Sequence, residues 1–343
     1  MSILRLFMKR QLPVRAVDEV MLLHEARGSY PDLSYTDLTG ERLARLTKER
    51  GVDFATALFY DRVRRSREHG PFIREVEAIE PDLAALPQLE GKVLVAPASF
   101  YDTFPEYGGD GLLVRQIAEQ FGLRAEMLPL PSTGAVSECA TRIQDALAGE
   151  PDGSVILVSL CKGGADVRVA LERRSDLTRK VRAWVQINGL IRGYPLFKVW
   201  FSGPRKLWWR LVLRAYLSYA HAKPDLAEEL KYGPDTLLAA PAMAPPGIPV
   251  INVLGFPLQS HLVGTLRSRH RQLAHLGPND GFTLLRDAIV EPGLLYPVWG
   301  ADHYFRFPGA ARLLYQLFLY LARTEPPSLA LEEGPQRELA PQH

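Results

Sequence analysis

Residues 154–171 read Ser-Val-Ile-Leu-Val-Ser-Leu-Cys-Lys-Gly-Gly-Ala-Asp-Val-Arg-Val-Ala-Leu. Val155 to Val158 form a short, wholly apolar run rich in β-branched residues. Such a run suits a strand buried on both faces of a parallel sheet. Ala165 to Leu171 reads as the first turns of a helix. Between them stand Ser159, Leu160, Cys161, Lys162 and Gly163. The pattern is strand, sharp turn, helix, with a nucleophile-type residue at the apex. A helix N-terminus carries roughly half a positive charge, which favours a thiolate in front of it. Lys162 is expected to add a cation beside Cys161. The competing reading is a small buried cysteine, since free Cys is among the most buried residue types.

Outward from this stretch the chain alternates. Lys92 to Pro97, Arg124 to Pro129, Val181 to Gly189, Pro249 to Gly255 and Leu294 to Trp299 read as further strands. Leu112 to Phe121 and Val136 to Leu147 read as helices, with Cys139 packed inside the second. Strands alternating with helical segments predict an α/β protein with a doubly wound, mostly parallel sheet. Residues 1–90 read as a helical N-terminal extension. One helix is expected to open at Thr39-Gly40-Glu41 and run through Leu46. Another spans Phe54 to Arg67, with Phe54, Leu58, Phe59 and Val63 on one side. Arg62, Arg64, Arg65 and Arg67 are expected on its solvated face. Pro81 to Gly91 reads as a linker. Residues 326–343, with several Pro, Glu and Gln, read as a flexible tail.

Composition narrows the function classes. A chain of 343 residues, 47% hydrophobic and 23% charged, fits a large globular domain with additions. A net charge of +2 gives no argument for nucleic acid. Cys139 and Cys161 are the only cysteines, too few for a disulfide framework, so a reducing compartment is the simpler expectation. Arg5 interrupts the apolar N-terminus, which therefore lacks a signal-peptide core. No apolar run reaches the roughly 18 residues of a membrane span. The expectation is a cytoplasmic protein with no transmembrane segment, and no metal or cofactor is expected.

Ser159-Leu160-Cys161-Lys162-Gly163 resembles the nucleophile elbow of the α/β-hydrolase fold, G-x-S-x-G. Two positions depart from it. Ser159 replaces the first glycine, and Cys161 replaces the serine. Continued through Gly164, Ala165 and Asp166, the string is similar to the elbow Ser-x-Ser-Lys-Gly-Gly-Ala-Asp of bacterial lipase- or esterase-like members. The resemblance covers roughly residues 91–325.

The resemblance implies a set of roles. The oxyanion donors would be the backbone N–H of Lys162 and that of Ser99 or Phe100, in the loop after the first strand. Nucleophile, acid and histidine follow one another along the chain in this fold. Trp299-Gly300-Ala301-Asp302-His303 places His303 just past the last strand, and Leu276-Gly277-Pro278-Asn279-Asp280-Gly281 supplies Asp280. Asp287 is the alternative acid, and Asp302 is expected to brace the loop. Residues 190–240 would form a cap, with Tyr101, Tyr194, Trp200, Trp208 and Trp209 lining an apolar acyl pocket. Plain core packing competes with that reading. So does a basic amphipathic surface for a membrane or a partner.

Cysteine nucleophiles occur in this fold in dienelactone hydrolases and in natural-product enzymes that release or cyclise carrier-bound acyl chains. The expected function is acyl transfer through an acyl-Cys161 intermediate drawn from an ester or thioester. Water as acceptor would make a thioesterase or esterase. Another nucleophile would make an acyltransferase or cyclase. The expected partners are a small acyl substrate and a candidate acyl carrier protein. The alternative is a non-catalytic protein that binds an apolar ligand or partner.

Overall fold

The computed structural model describes residues 18–202, 206–219 and 224–324. The expected tail and the first residues of the extension lie outside these. Six strands form the sheet: β1 Lys92–Ala96, β2 Arg124–Met127, β3 Val155–Leu160, β4 Val181–Ile187, β5 Val250–Phe256 and β6 Leu294–Trp299. Their order is β2-β1-β3-β4-β5-β6, and every pairing is parallel. Strand order reverses around β1, so β1 and β3 are neighbours with their C-terminal ends side by side. In open α/β sheets ligand sites form at that end of the strands.

Alternation along each strand divides the core into two layers. Val93, Val95, Ile156 and Val158 face one layer, while Leu94, Ala96, Val155 and Leu157 face the other. The first layer is covered by α5 Leu112–Gln120 and α12 Ala310–Arg323. The second is covered by α6 Val136–Ala148, α7 Lys162–Arg173 and α11 Gly264–Leu273. Between β4 and β5 lie α8 Pro195–Ser202, α9 Lys206–Tyr219 and α10 Pro224–Glu229.

Four helices precede β1: α1 Glu19–Gly28, α2 Gly40–Arg50, α3 Val52–Arg65 and α4 Gly70–Glu77. Thr39 caps α2, accepting the Arg42 N–H at 3.2 Å. These helices share the sheet's own core. Phe59 packs on Phe256 with ring centroids 5.4 Å apart, and Tyr60 on Trp299 at 4.9 Å. Glu19 accepts the Trp299 indole N–H at 2.8 Å.

The arginine cluster of α3 departs from expectation. Arg62 is only 8% exposed. Its guanidinium donates to the carbonyls of Leu33 (2.7 Å), Ser29 (2.7 Å) and Tyr30 (3.0 Å), and it pairs with Asp61. The turn after α1 leaves carbonyls that no helix or strand satisfies, and a five-donor fork reaches three at once. Arg64 pairs with Glu77 at 2.6 and 2.9 Å. Arg65 and Arg67 alone of the four are exposed.

Candidate active site

Cys161 follows the last residue of β3 and precedes the first residue of α7. Its backbone has φ 49° and ψ −117°, a strained conformation for a side chain with a Cβ. Neighbouring hydrogen bonds hold it there. The Cys161 N–H donates to Ile187 O at 3.1 Å, and its carbonyl accepts from Gly164 at 3.1 Å and Leu190 at 2.9 Å. Such a turn needs small neighbours. A Cβ on Gly163 would stand 2.3 Å from Ala96 O, and one on Gly164 would stand 3.0 Å from the Cα of Gly189. Ser159, where the pattern has glycine, is fully buried and accepts the Trp184 indole N–H at 2.8 Å. That bond satisfies a buried donor which glycine would leave without a partner.

The structure brings together the two partners read from the sequence. Asp280 Oδ2 lies 2.7 Å from His303 Nδ1. The other carboxylate oxygen accepts the N–H groups of Phe282 at 2.9 Å and Thr283 at 2.8 Å. Both residues are buried. His303 Nε2 is buried with no hydrogen bond of normal geometry, yet Cys161 acts on the ring. Burial pushes the imidazolium down; the charges of Asp280 and Cys161 and their hydrogen bonds outweigh it and raise His303 to about 10. Asp287 faces elsewhere, pairing with Arg192 at 2.9 Å and accepting the Tyr232 hydroxyl at 2.6 Å. Asp302 braces the histidine loop by accepting from Arg306, at 2.6 Å in the shortest contact.

Three further residues hold this geometry and were not singled out in the sequence. Asn188, at φ 46°, donates to Asp302 O and His303 O, both at 3.0 Å, and accepts the Gly255 N–H at 2.8 Å. Gln186 donates to Ala288 O at 2.7 Å and to Asn252 at 3.0 Å. Asn252 in turn accepts the Val290 N–H at 2.9 Å. All three are essentially fully buried; Asn188 ties β4 and β5 to the histidine loop, and Gln186 and Asn252 tie the same strands to residues 288–294, at the start of β6. The available signal was an amide at the end of, or inside, an otherwise apolar strand, where burial demands hydrogen-bonded partners.

Two expectations at the elbow are corrected. The Phe100 N–H donates to Ser132 O at 2.9 Å, so of Ser99 and Phe100 only Ser99 stays a candidate oxyanion donor. Lys162 offers a backbone N–H at the first position of α7, where no intrahelical acceptor exists. Its side chain, however, turns inward. Lys162 is 2% exposed, with Nζ 2.6 and 2.8 Å from the Asp166 carboxylate and 3.4 Å from Cys139 Sγ. The cation therefore serves the interior beneath the elbow rather than Cys161. Burial raises the Asp166 carboxyl to about 6 against the pull of Lys162. Burial also pushes the Cys139 thiol up to about 11.

An aromatic ladder runs outward from the histidine. Phe282 stacks on His303 with centroids 4.3 Å apart, and Tyr194 lies 5.5 Å from Phe282. Trp200 lies 5.9 Å from Tyr194, Trp209 stacks on Trp200 at 4.5 Å, and Trp208 meets Trp209 at 4.8 Å. Trp208, 48% exposed, ends the ladder at the surface. Tyr101 is placed apart from these rings, its hydroxyl donating to Leu130 O at 2.9 Å. Phe282 and Tyr304 were not anticipated; burial pushes the Tyr304 hydroxyl up, and Cys161 lies close enough for its charge to add to that. Two surface clefts of about 230 and 330 Å³ lie at β6–α12 and α1–α3, and neither touches Cys161.

The sequence matches no family model and no curated protein. Solved structures resemble it in fold. The metagenomic carboxyl esterase MGS0156 superposes with TM-score 0.53 at 19% identity, over 71% of this chain and 79% of the esterase. The mature form of the lipase BlEst2 of Bacillus licheniformis superposes with TM-score 0.50 at 15% identity, over 70% of this chain and 95% of the lipase. Six parallel strands flanked by helices, matching those of the esterase and the lipase, give this chain the α/β-hydrolase fold.

Proposed function

We propose that the protein is an acyl-transfer enzyme with Cys161 as nucleophile, His303 as base and Asp280 as the group that orients the histidine. One observation carries this reading. A strained cysteine at the strand–helix turn neighbours a buried imidazole whose other nitrogen is fixed on a buried carboxylate. In the proposed reaction the Cys161 sulfur attacks the carbonyl of an ester or thioester. Its proton passes to His303 Nε2 and then to the departing alkoxide or thiolate. The tetrahedral oxyanion is held by the N–H groups of Lys162 and Ser99, each donor worth a few kcal/mol in such sites. The result is an acyl-Cys161 thioester and a free alcohol or thiol. Water then releases a carboxylic acid, or an amine, hydroxyl or carbanion takes the acyl group.

Exchange from a thioester donor is nearly isoenergetic, so the bound acyl group stays activated for a second acceptor. This favours carrier-bound acyl chains as donors and gives transfer or cyclisation a place beside hydrolysis. The ladder from Phe282 to Trp209 suits an apolar chain. The shared fold of an esterase and a lipase agrees with acyl chemistry. Two free thiols suit a reducing cytoplasm. A protein that only binds has no use for a buried imidazole tied to a buried carboxylate beside a thiol.

Thioester model substrates of varied chain length, followed by intact mass, test the proposal. An acyl adduct mapped to Cys161, absent in Cys161→Ala and slowed about 10²–10⁴-fold in His303→Ala, is expected. An adduct on Cys139, or no adduct with any ester or thioester, refutes it.

A further inference from the structure

The helix α9, Lys206–Tyr219, presents a row of apolar residues to solvent. Leu207 is 68% exposed, Leu211 67% and Trp208 48%. Ala215 and Ser218 are exposed as well, so positions 207, 211, 215 and 218 form one continuous stripe at helical spacing. Exposed leucines at this level, grouped on one face, mark an interaction surface rather than ordinary surface scatter.

The sequence around the stripe is strongly one-signed. Between Asp176 and Asp225 there is no acidic residue, while Arg192, Lys198, Arg205, Lys206, Arg210, Arg214 and Lys223 all fall within positions 190–224. Positions 206, 210 and 214 each precede a residue of the apolar stripe, so a basic row and an apolar row run side by side along α9. An apolar strip flanked by Lys and Arg fits the interface of an anionic bilayer, where apolar side chains enter the acyl boundary and cations meet the headgroups. Among the described residues no helix is long and apolar enough to cross a membrane, so the mode is peripheral.

The stripe also lies at the outer end of the aromatic ladder. Trp208, next to Leu207 on α9, ends the ladder beside the stripe, and the rings from Trp209 through Trp200, Tyr194 and Phe282 lead to His303. We infer that α9 docks the protein on an anionic lipid surface, with Leu207, Trp208 and Leu211 inserted and the basic row against the headgroups. Acyl chains leaving that surface would meet the ladder before the catalytic cysteine. The docking itself does not depend on the chemistry proposed for Cys161.

Flotation of the full chain with vesicles of phosphatidylcholine, with or without about a third phosphatidylglycerol, is the test. Binding to the anionic vesicles, with a blue shift of tryptophan emission and quenching by brominated acyl chains, is expected. Each Lys or Arg near such a surface tightens binding about fivefold. Arg210→Gln/Arg214→Gln should therefore lose about 25-fold on anionic vesicles and keep whatever neutral binding exists. Leu207→Ser/Leu211→Ser should lose more than tenfold. Cys161→Ala should float like the parent, which separates this inference from the acyl-transfer reading. Far-ultraviolet circular dichroism shows whether each variant is folded, and the arginine pair supplies the answer if the leucine pair is not. No binding to anionic vesicles at low salt overturns the inference. So does binding that neither pair changes. If Leu207→Ser/Leu211→Ser converts a dimer to a monomer without affecting flotation, the face belongs to a second copy. If an acidic acyl carrier protein binds through the same residues and vesicles do not, the face is a protein interface.

Discussion

Lys162→Met separates the two jobs of the residue after the nucleophile. The substitution keeps the backbone N–H and most of the apolar stem but removes the ammonium that sits 2.6 and 2.8 Å from Asp166. Both side chains are 2% exposed. A carboxylate left there alone would take up a proton instead of staying charged. Breaking a buried pair from one side usually costs ~3–5 kcal/mol. Because the parent's Asp166 already stands at about 6, the part of that loss that depends on pH at pH 7 is about one unit, on the order of 1 kcal/mol. At pH 5, below that value, the parent's Asp166 is itself mostly protonated, so this part should vanish and the loss should be smaller than at pH 7. Urea unfolding at both pH values measures the difference. Adding Asp166→Leu removes the orphaned acid, and the double variant should return to within about 1 kcal/mol of the parent. Because the ammonium points into the core, alkylation of Cys161 should stay within about threefold of the parent rate wherever the variant is folded. An equal loss at both pH values, or no rescue by the second change, would refute the buried-pair account. A tenfold slower alkylation would restore Lys162 as an activator of the thiol.

Asp280→Asn should leave the loop in place, since the amide oxygen can still accept from Phe282 and Thr283, but it turns an N–H toward His303. That selects the wrong tautomer, and acylation should fall by up to about 10⁴-fold. Removing the carboxylate that helps raise His303 to about 10 should also move any alkaline limb of the rate profile downward. His270 is fully buried, with both ring nitrogens lacking a partner among the described residues, and burial lowers it to about 4. The unfolded chain binds this proton below about 6.5 and the folded one does not, so stability should fall as the pH drops from 6.5 toward 4; thermal unfolding of His270→Phe should show a shallower decline. Arg62→Ala strips three carbonyls of a donor and leaves Asp61 buried without this partner, and should cost about 3–5 kcal/mol in urea without changing Cys161 alkylation.

Much of this protein was legible in its residues. The apolar run of β3 and the small residues after Cys161 report local requirements: a strand buried on both faces, and a turn that a Cβ at Gly163 or Gly164 would block. The alternation of strands and helices fixed the parallel class, because parallel pairing needs crossovers. Chain order and turn chemistry nominated Asp280 and His303 because such loops fall at strand ends. Side-chain direction is a different kind of information. Sequence puts Lys162 beside Cys161, but the helix turns its ammonium to Asp166, one turn on, and to Cys139, 23 residues back. The Arg62 fork looked like part of a solvated row until the fold set three loop carbonyls around it. Ser99 and Phe100 were equivalent candidates until Ser132 took the Phe100 N–H. Asn188, Gln186 and Asn252 connect segments up to 115 residues apart, and no local pattern encodes those bonds. Periodicity and turn chemistry are properties of neighbours along the chain, so the sequence carries them. Which donor meets which acceptor across the core is decided only when the sheet closes and burial forces every polar group to find a partner.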